Sequence, residues 1–183
     1  YNPSVGGDIW ISSDYRKRVA IDSRIGHSKF FDSDQELVRM NINPRIRISD
    51  KFNVIYDFRY TISNNRKSFV ARRDRDVFFG NRKIESIENS LQGSYNFNTK
   101  QVLSINFRNF WSAATFGEES FSVLRGDGTL NPTPEYDPER DPNANFNIWN
   151  LDLSYRWQFA PGSEAILLYR NSIFNLNSQS ELK

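Results

Sequence analysis

The sequence predicts an all-β protein, namely a transmembrane antiparallel up-and-down β-barrel with about eight strands in this chain. Three observations lead to this prediction. Apolar and polar side chains alternate along most of the chain, and short and long connections alternate between the segments. Aromatic residues make up 15% of a chain whose mean hydropathy is only −0.66. A barrel in lipid accounts for this mixture, because half of each strand meets lipid while the other half lines a polar lumen.

The alternation is clearest over residues 149–159, where every odd position is apolar and every even position is polar. Successive side chains of a strand point to opposite faces, so this segment has one apolar and one polar face. Residues 38–48 and 52–62 repeat the pattern, with Ile55 as an exception. Weaker versions occupy residues 9–11, 19–25, 87–97, 103–111 and 165–173. The longer segments have the length of a tilted transmembrane strand.

The connections support an outer-membrane barrel. Turn-forming residues make tight connections at residues 14–16, 49–51, 98–100 and 160–163, and longer connections lie at residues 26–35, 63–83 and 113–145. Short periplasmic turns and long extracellular loops are typical of barrels in the outer membrane of Gram-negative bacteria. In that orientation both chain ends lie at the outer rim. We therefore expect residues 1–183 to be a single barrel segment, incomplete at both ends, of a barrel with roughly ten or more strands.

Composition narrows the classes of function. A net charge of +2 gives no overall basic field, so we expect no nucleic-acid partner. The chain has no cysteine, a single histidine (His27) and no recognisable nucleophile, phosphate-binding or metal-binding motif. We therefore expect no catalytic residue, no cofactor and no metal. Paired carboxylates at the rim, such as Glu118 and Glu119, keep a barrel enzyme among the alternatives.

The two strand faces supply the candidate site residues. The predicted lumen-facing residues are Arg24, Arg39, Arg45, Arg47, Asp57, Arg59, Arg108, Asp152, Arg156 and Arg170. These charges either brace the wall as cross-strand ion pairs or give the lumen a preference for anions. The predicted lipid-facing girdle residues are Phe52, Tyr60, Tyr95, Phe97, Trp111, Trp149, Trp157 and Phe159. The alternative is that these rings fill the core of a soluble β-sandwich.

The long connections are candidate binding surfaces. The basic connection contains Arg66, Lys67, Arg72, Arg73, Arg75, Arg82 and Lys83. It is either a site for the phosphates of lipopolysaccharide, a mobile charged loop, or an extension of the strands above the membrane. Residues 77–79 within it indicate some ordered packing. The acidic connection, residues 113–145, is either a calcium site or a solvated loop, and it lacks the regular ligand spacing of a calcium loop.

The C-terminal half carries a resemblance. Residues 147–164, with the run Tyr155-Arg156-Trp157-Gln158-Phe159-Ala160-Pro161-Gly162-Ser163-Glu164, and then residues 169–172, carry most of it; residues 110–111 and 121–131 are similar more loosely. The chain resembles a family of Bacteroidota outer-membrane proteins of unknown function. Members join an N-terminal domain similar to carbohydrate-binding module family nine to a C-terminal β-barrel. The resemblance implies a membrane anchor for a carbohydrate-binding-like module, and it supplies no catalytic residues.

These observations lead to three hypotheses for function. The first is an integral outer-membrane barrel that conducts a solute or anchors an attached module. The second is a scaffold or accessory subunit of an envelope protein complex, with residues 63–83 and 113–145 as docking surfaces. The third is a barrel hydrolase at the outer rim. Outer-membrane lipid, with lipopolysaccharide, and envelope proteins are the expected partners.

Overall fold

The computed structural model describes residues 3–31 and 33–177, without the side chains of residues 118, 119 and 177. These residues form nine strands and no helix. The strands are β1 (Ser4–Ser12), β2 (Val19–Phe30), β3 (Glu36–Arg47), β4 (Phe52–Arg73), β5 (Asp76–Asn98), β6 (Gln101–Leu124), β7 (Leu130–Pro132), β8 (Ala144–Ala160) and β9 (Ser163–Asn177). Within the described ranges, no helix is long and apolar enough to cross a membrane.

All strands join one antiparallel sheet in the order β1-β2-β3-β4-β5-β6-β8-β9, and the short β7 pairs with β6. The prediction of an all-β, up-and-down antiparallel fold is confirmed. Each of the eight predicted segments corresponds to one of the strands, although segment 38–48 runs one residue past the end of β3, and only the three-residue β7 was not anticipated. The described sheet is not closed, since β1 and β9 each pair with a neighbour on one side only.

One end of the sheet, which we name the turn end, holds the tight connections at residues 13–18, 48–51, 99–100 and 161–162. Side chains fix their geometry by accepting hydrogen bonds from backbone N–H groups. Ser49 Oγ accepts from the Phe52 N–H at 3.1 Å, and Asn98 Oδ1 accepts from the Lys100 N–H at 2.8 Å. Gly162 adopts a positive φ in its turn. Glycine reaches this conformation without steric cost, because it has no Cβ.

The connections at the opposite end are shorter than the sequence predicted. For residues 63–83 the strand-extension alternative is confirmed, because β4 and β5 run for 22 and 23 residues and meet at the two-residue turn 74–75. Strand β6 is 24 residues long and takes in the first part of the predicted 113–145 connection, while the 26–35 connection shortens to residues 31–35. Asp74 makes the tight hairpin turn possible by adopting a positive φ. Aspartate tolerates this left-handed conformation better than most residues.

The outer part of this hairpin, the end of β6 and the segment that follows it form a second structural region. We name residues 64–83 and 114–143 the crown, and the remainder of the sheet the wall. Phe78, Phe121 and Tyr136 are buried together in the crown, with Val70, Phe116 and Val123 packed around them. The Tyr136 ring stacks on Phe78 with ring centroids 3.9 Å apart, so the chain after β7 folds back over the hairpin. The packing that residues 77–79 predicted is present here.

Candidate functional site: two faces and a crown

Strand register decides which side chains share a face, because directly opposed residues in antiparallel strands point to the same side. One continuous row crosses five strands: Met40 opposes Tyr60, which opposes Ile87, then Trp111, then Asn147. We name the face containing this row the apolar face and the opposite one the polar face. The names describe the residues that dominate each face.

All the predicted girdle residues lie on the apolar face. In register order they are Phe52 and Tyr60 on β4, Tyr95 and Phe97 on β5, Trp111 on β6, and Trp149, Trp157 and Phe159 on β8. Many touch one another, as in the edge-on contacts of Tyr95 with Phe52 and Phe97. Trp149, Trp157 and Phe159 remain 43–54% exposed, since no second layer of the described chain covers them. Trp111 differs because its neighbours leave it only 5% exposed.

A row of polar side chains interrupts the apolar face. The Tyr56 hydroxyl donates to Asn89 Oδ1 at 2.6 Å, and Asn89 Nδ2 donates to Asn109 Oδ1 at 3.1 Å. Asn109 Nδ2 then donates to Asn147 Oδ1 at 2.9 Å and to the Ile148 carbonyl. We name the side chains of Tyr56, Asn89, Asn109 and Asn147 the amide ladder. Sequence reasoning missed it, although the signal was present as asparagines at apolar positions of β5, β6 and β8.

Next to the crown the apolar face becomes polar. Tyr60 donates its hydroxyl to Glu85 Oε1 at 2.6 Å, and Glu85 also pairs with Lys83 at 2.9 Å. The last row of this face, next to the crown, contains Lys29 and Glu36, which pair at 3.5 Å. The apolar band of the wall is therefore bounded on the crown side by hydrogen-bonded and charged groups.

The predicted lumen residues all lie on the opposite, polar face. In register order they are Arg24, Arg39, Arg45, Arg47, Asp57, Arg59, Arg108, Asp152, Arg156 and Arg170. Three of the arginines pair with carboxylates on neighbouring strands: Arg24 with Asp8, Arg59 with Glu88, and Arg170 with Asp152. Asp57 Oδ2 accepts hydrogen bonds from the Asn41 and Asn43 amides. These ion pairs and hydrogen bonds connect neighbouring strands on this part of the polar face.

Other arginines of the polar face have no such partner. Within the described residues, Arg39, Arg47, Arg108 and Arg156 form no ion pair with a carboxylate. Arg45 lies over the ring of Tyr15 at 5.0 Å from its centroid. Each interpretation of the charged face therefore has residues that fit it. The paired charges fit cross-strand bracing of the wall, and the arginines without a carboxylate partner fit a preference for anions.

The edge strands depart from the polar pattern. Their polar-face positions hold large apolar side chains that are more than half exposed, namely Trp10 on β1 and Ile166, Leu168, Phe174 and Leu176 on β9. Strand β9 therefore carries large apolar side chains on both faces. The weak alternation of its sequence did not reveal this. These side chains lie beside the strand edges that the described sheet leaves unpaired.

The crown brings the basic and acidic segments together. Arg73 pairs with Glu139 at 3.2 Å, donates to the Asp137 carbonyl at 3.1 Å, and lies over the Tyr136 ring. The basic segment therefore proved to be a strand extension that holds part of the acidic segment by charge. In contrast, Arg66 lies directly opposite Arg82, and neither pairs with a carboxylate within the described residues.

The described part of the chain holds no candidate metal centre. No group of three His, Cys, Asp or Glu side chains there is placed to hold a metal ion. His27 is exposed and lies 4.0 Å from Glu36. The side chains of the predicted rim carboxylates Glu118 and Glu119 lie outside the described residues.

The fold defines a class: an unclosed, up-and-down antiparallel sheet with one apolar face, one charged face and an ordered crown at one end. The chain belongs to the family of the domain of unknown function DUF5916, whose model matches residues 1–183. The expectation of a family of unknown function is confirmed, while its bacterial group, its outer-membrane location and its attached sugar-binding-like domain stay predictions. No curated protein and no solved structure matches the chain.

Proposed function

We propose that this chain is a wall segment of a β-barrel in the outer membrane of a Gram-negative bacterium, with its apolar face in lipid and its polar face toward an anion-admitting interior. One observation carries the proposal: the described chain leaves the band of aromatic and aliphatic side chains on the apolar face without a covering layer. A surface that large and apolar requires an apolar partner, because water is a poor solvent for it.

The dimensions of the band favour lipid as that partner. On β4 it extends from Phe52 to Ile62. That is the length that a tilted strand needs to cross the hydrocarbon core. Aromatic rings lie near both limits of the band, with Trp157 and Phe159 at the turn end and Tyr60 toward the crown. A protein partner would not require aromatic rings at two such levels.

The unpaired edges fit the same proposal. Unpaired backbone groups are costly in lipid, so a membrane sheet must close. In the proposed barrel, β1 and β9 pair with strands beyond the nine described. The apolar side chains on the polar face of β9, such as Leu168 and Phe174, then pack against other side chains inside the barrel, near the edge where the sheet closes.

The arginines without a carboxylate partner favour an interior that admits anions over one whose charges serve only as cross-strand ion pairs. Arg39 lines a recess of the polar face with Arg24 and Arg59, and Arg108 lines another with Asp57 and Glu88. Fixed positive charge along a narrow polar wall raises the local concentration of anions. Arg39 and Arg108 are therefore the residues on which anion selectivity should depend most.

Conductance across a planar bilayer in a salt gradient tests the proposal. The purified protein should insert and give a reversal potential of anion-selective sign, and Arg39→Gln with Arg108→Gln should move that potential toward zero. Arg75→Gln is the matched control, because it removes the same charge at the tip of the crown hairpin. Insertion without conductance would reject the channel and leave an anchor. A protein that stays dispersed in water without detergent would reject the membrane wall altogether.

The second candidate is an anchor or scaffold, and the crown favours it. A hairpin with its own buried aromatic cluster is an ordered platform, which a passive loop is not. In this alternative the wall fixes the crown at the cell surface, where it docks an envelope protein or the attached carbohydrate-binding-like module. Co-purification of a partner that Phe78→Ala abolishes, from a protein without conductance, would support it.

A further inference from the structure

Residues 133–143, which we name the strap, lie on the side of the crown that continues the polar face of the wall. Between residues 76 and 96, β5 alternates without interruption, because the register shifts there insert their extra residues into β4 and β6. Glu88 of the polar face therefore shares its side of β5 with Phe78. The Tyr136 ring of the strap stacks on Phe78, with ring centroids 3.9 Å apart. The strap thus covers the polar side of the crown, not the apolar side.

Both ends of the strap are fixed to β6. The Thr133 N–H donates to the Phe121 carbonyl at 2.9 Å, and the Phe116 N–H donates to Asn143 Oδ1 at 2.8 Å. Three prolines lie between these two points, namely Pro134, Pro138 and Pro142. Each proline fixes its own φ, so the backbone between the two ends has few alternative conformations.

The middle of the strap reaches across β5 to β4. Tyr136 packs on Phe78 of β5, and the guanidinium of Arg73 on β4 lies over the other part of this contact, 5.1 Å from the Tyr136 ring centroid. Arg73 also pairs with Glu139 at 3.2 Å and donates to the Asp137 carbonyl at 3.1 Å. The strap therefore crosses three neighbouring strands on one side of the sheet, which a loop that only connects β7 to β8 does not need to do.

The strap is acidic, and its carboxylates face water. Its acidic residues are all exposed, and they are Glu135, Asp137, Glu139 and Asp141. Among the described side chains, only Glu139 of this set pairs with a cation. Fixed negative charge at an entrance lowers the local concentration of anions, over a distance of roughly 10 Å at 0.1 M salt.

We propose that the strap is the constriction at the mouth of the barrel, which limits passage to small solutes and whose carboxylates oppose the entry of anions. The inference rests on the proposed function, because the polar side of the crown faces the interior only if the wall closes into a barrel. In that barrel the strap extends inward from the rim formed by β4, β5 and β6. A solute entering at the crown then passes the acidic strap before it reaches Arg39 and Arg108.

Replacement of residues 134–142 by a glycine–serine segment of the same length tests the constriction. The change removes the Tyr136 contact, the prolines and the carboxylates while leaving both fixed ends in place. In planar bilayers the variant should give a larger single-channel conductance than the wild type. In liposome swelling it should admit neutral sugars that are too large to pass through the wild type.

A second variant separates the charge of the strap from its bulk. Glu135→Gln with Asp137→Asn keeps Tyr136 and the prolines, so the size limit for sugars should stay that of the wild type. The reversal potential should shift further toward anion selectivity, most clearly at low salt, where charges are screened least. Asp50→Asn, which removes the same charge at the turn end, is the matched control and should leave the size limit unchanged.

Each result that overturns the inference is distinct from failure of the proposed function. A glycine–serine variant with the conductance and size limit of the wild type would show that the strap obstructs nothing. A reversal potential that Glu135→Gln with Asp137→Asn does not change would remove the role of the carboxylates. If the wild type and the glycine–serine variant both insert without conducting, the proposed channel is rejected and the constriction with it. Hydrogen exchange of β2 and β3 checks that the variant keeps its wall.

Discussion

The wall and the crown belong to the same strands but are stabilised in opposite ways. In the crown, Phe78, Phe121 and Tyr136 bury one another and need nothing from outside the chain. In the wall, residues of the same kinds, such as Trp149, Trp157 and Leu153, remain 38–45% exposed on a single-layer sheet. The crown therefore carries its own core, whereas the wall depends on its surroundings for an apolar partner. The stability of the wall therefore depends on the medium around it as well as on its sequence.

The largest expected effect comes from placing a charge on the apolar face of the wall. Leu153→Arg, at the middle of the β8 band, should lower the free energy of unfolding in lipid vesicles by about 2–4 kcal/mol, the cost of arginine at the bilayer midplane on a barrel surface. Ser154→Arg, the next residue on the polar face, is the matched control and should change it by roughly 0.5 kcal/mol or less. Denaturant titration of both variants in vesicles measures the difference. Equal effects would remove the basis for assigning the two faces.

A smaller and local effect is expected in the crown. Tyr136→Ala removes the ring that stacks on Phe78 and lies under Arg73. The loss should be near the lower end for a large-to-small core substitution, about 2 kcal/mol, because the cluster is small. Hydrogen exchange should speed up in residues 114–143 while the wall strands β2 and β3 stay protected. Loss of protection throughout the sheet would mean that crown and wall unfold as one unit.

The smallest effect concerns the amide ladder. Asn109→Leu leaves Asn89 without its acceptor and removes two donated hydrogen bonds. It should cost about 1 kcal/mol of unfolding free energy even though leucine is more apolar. Asn106→Leu is the control on the same strand, because Asn106 Oδ1 is buried without a partner and should be replaced at no cost. Denaturant titration compares the two, and a stabilised Asn109→Leu would mean that the ladder is not needed to order the strands.

The sequence predicted what depends on period-two alternation. Residues 149–159 identified β8, the parity of Arg108 and Asp152 put both on the polar face, and Trp157 and Phe159 were assigned to the opposite one. Such features are local, since strand geometry alone determines which side chains alternate. Turn residues likewise identified the connections at the turn end.

What the sequence did not predict depends on contacts between distant segments. The sequence left undecided whether residues 63–83 extend the strands, because their many arginines also fit a solvated loop. The packing of Tyr136 on Phe78 was not predicted, because it joins residues far apart in the chain. The amide ladder needed the register of β4, β5, β6 and β8 before its members could be seen to meet. The pairing of Arg170 with Asp152 is likewise a property of register and rotamer.

A nitroxide scan of β8 tests whether the apolar face lies in lipid. The sequence contains no cysteine, so single substitutions from Trp149→Cys to Phe159→Cys each give one labelling site. In reconstituted bilayers, labels at odd positions should be relaxed by oxygen, which concentrates in lipid, and labels at even positions by a water-soluble nickel complex. This period-two exchange, with Leu153→Cys most accessible to oxygen, is the predicted result. If labels at both parities respond mainly to the nickel complex, the apolar face lies in water or against protein, and the assignment to lipid is wrong.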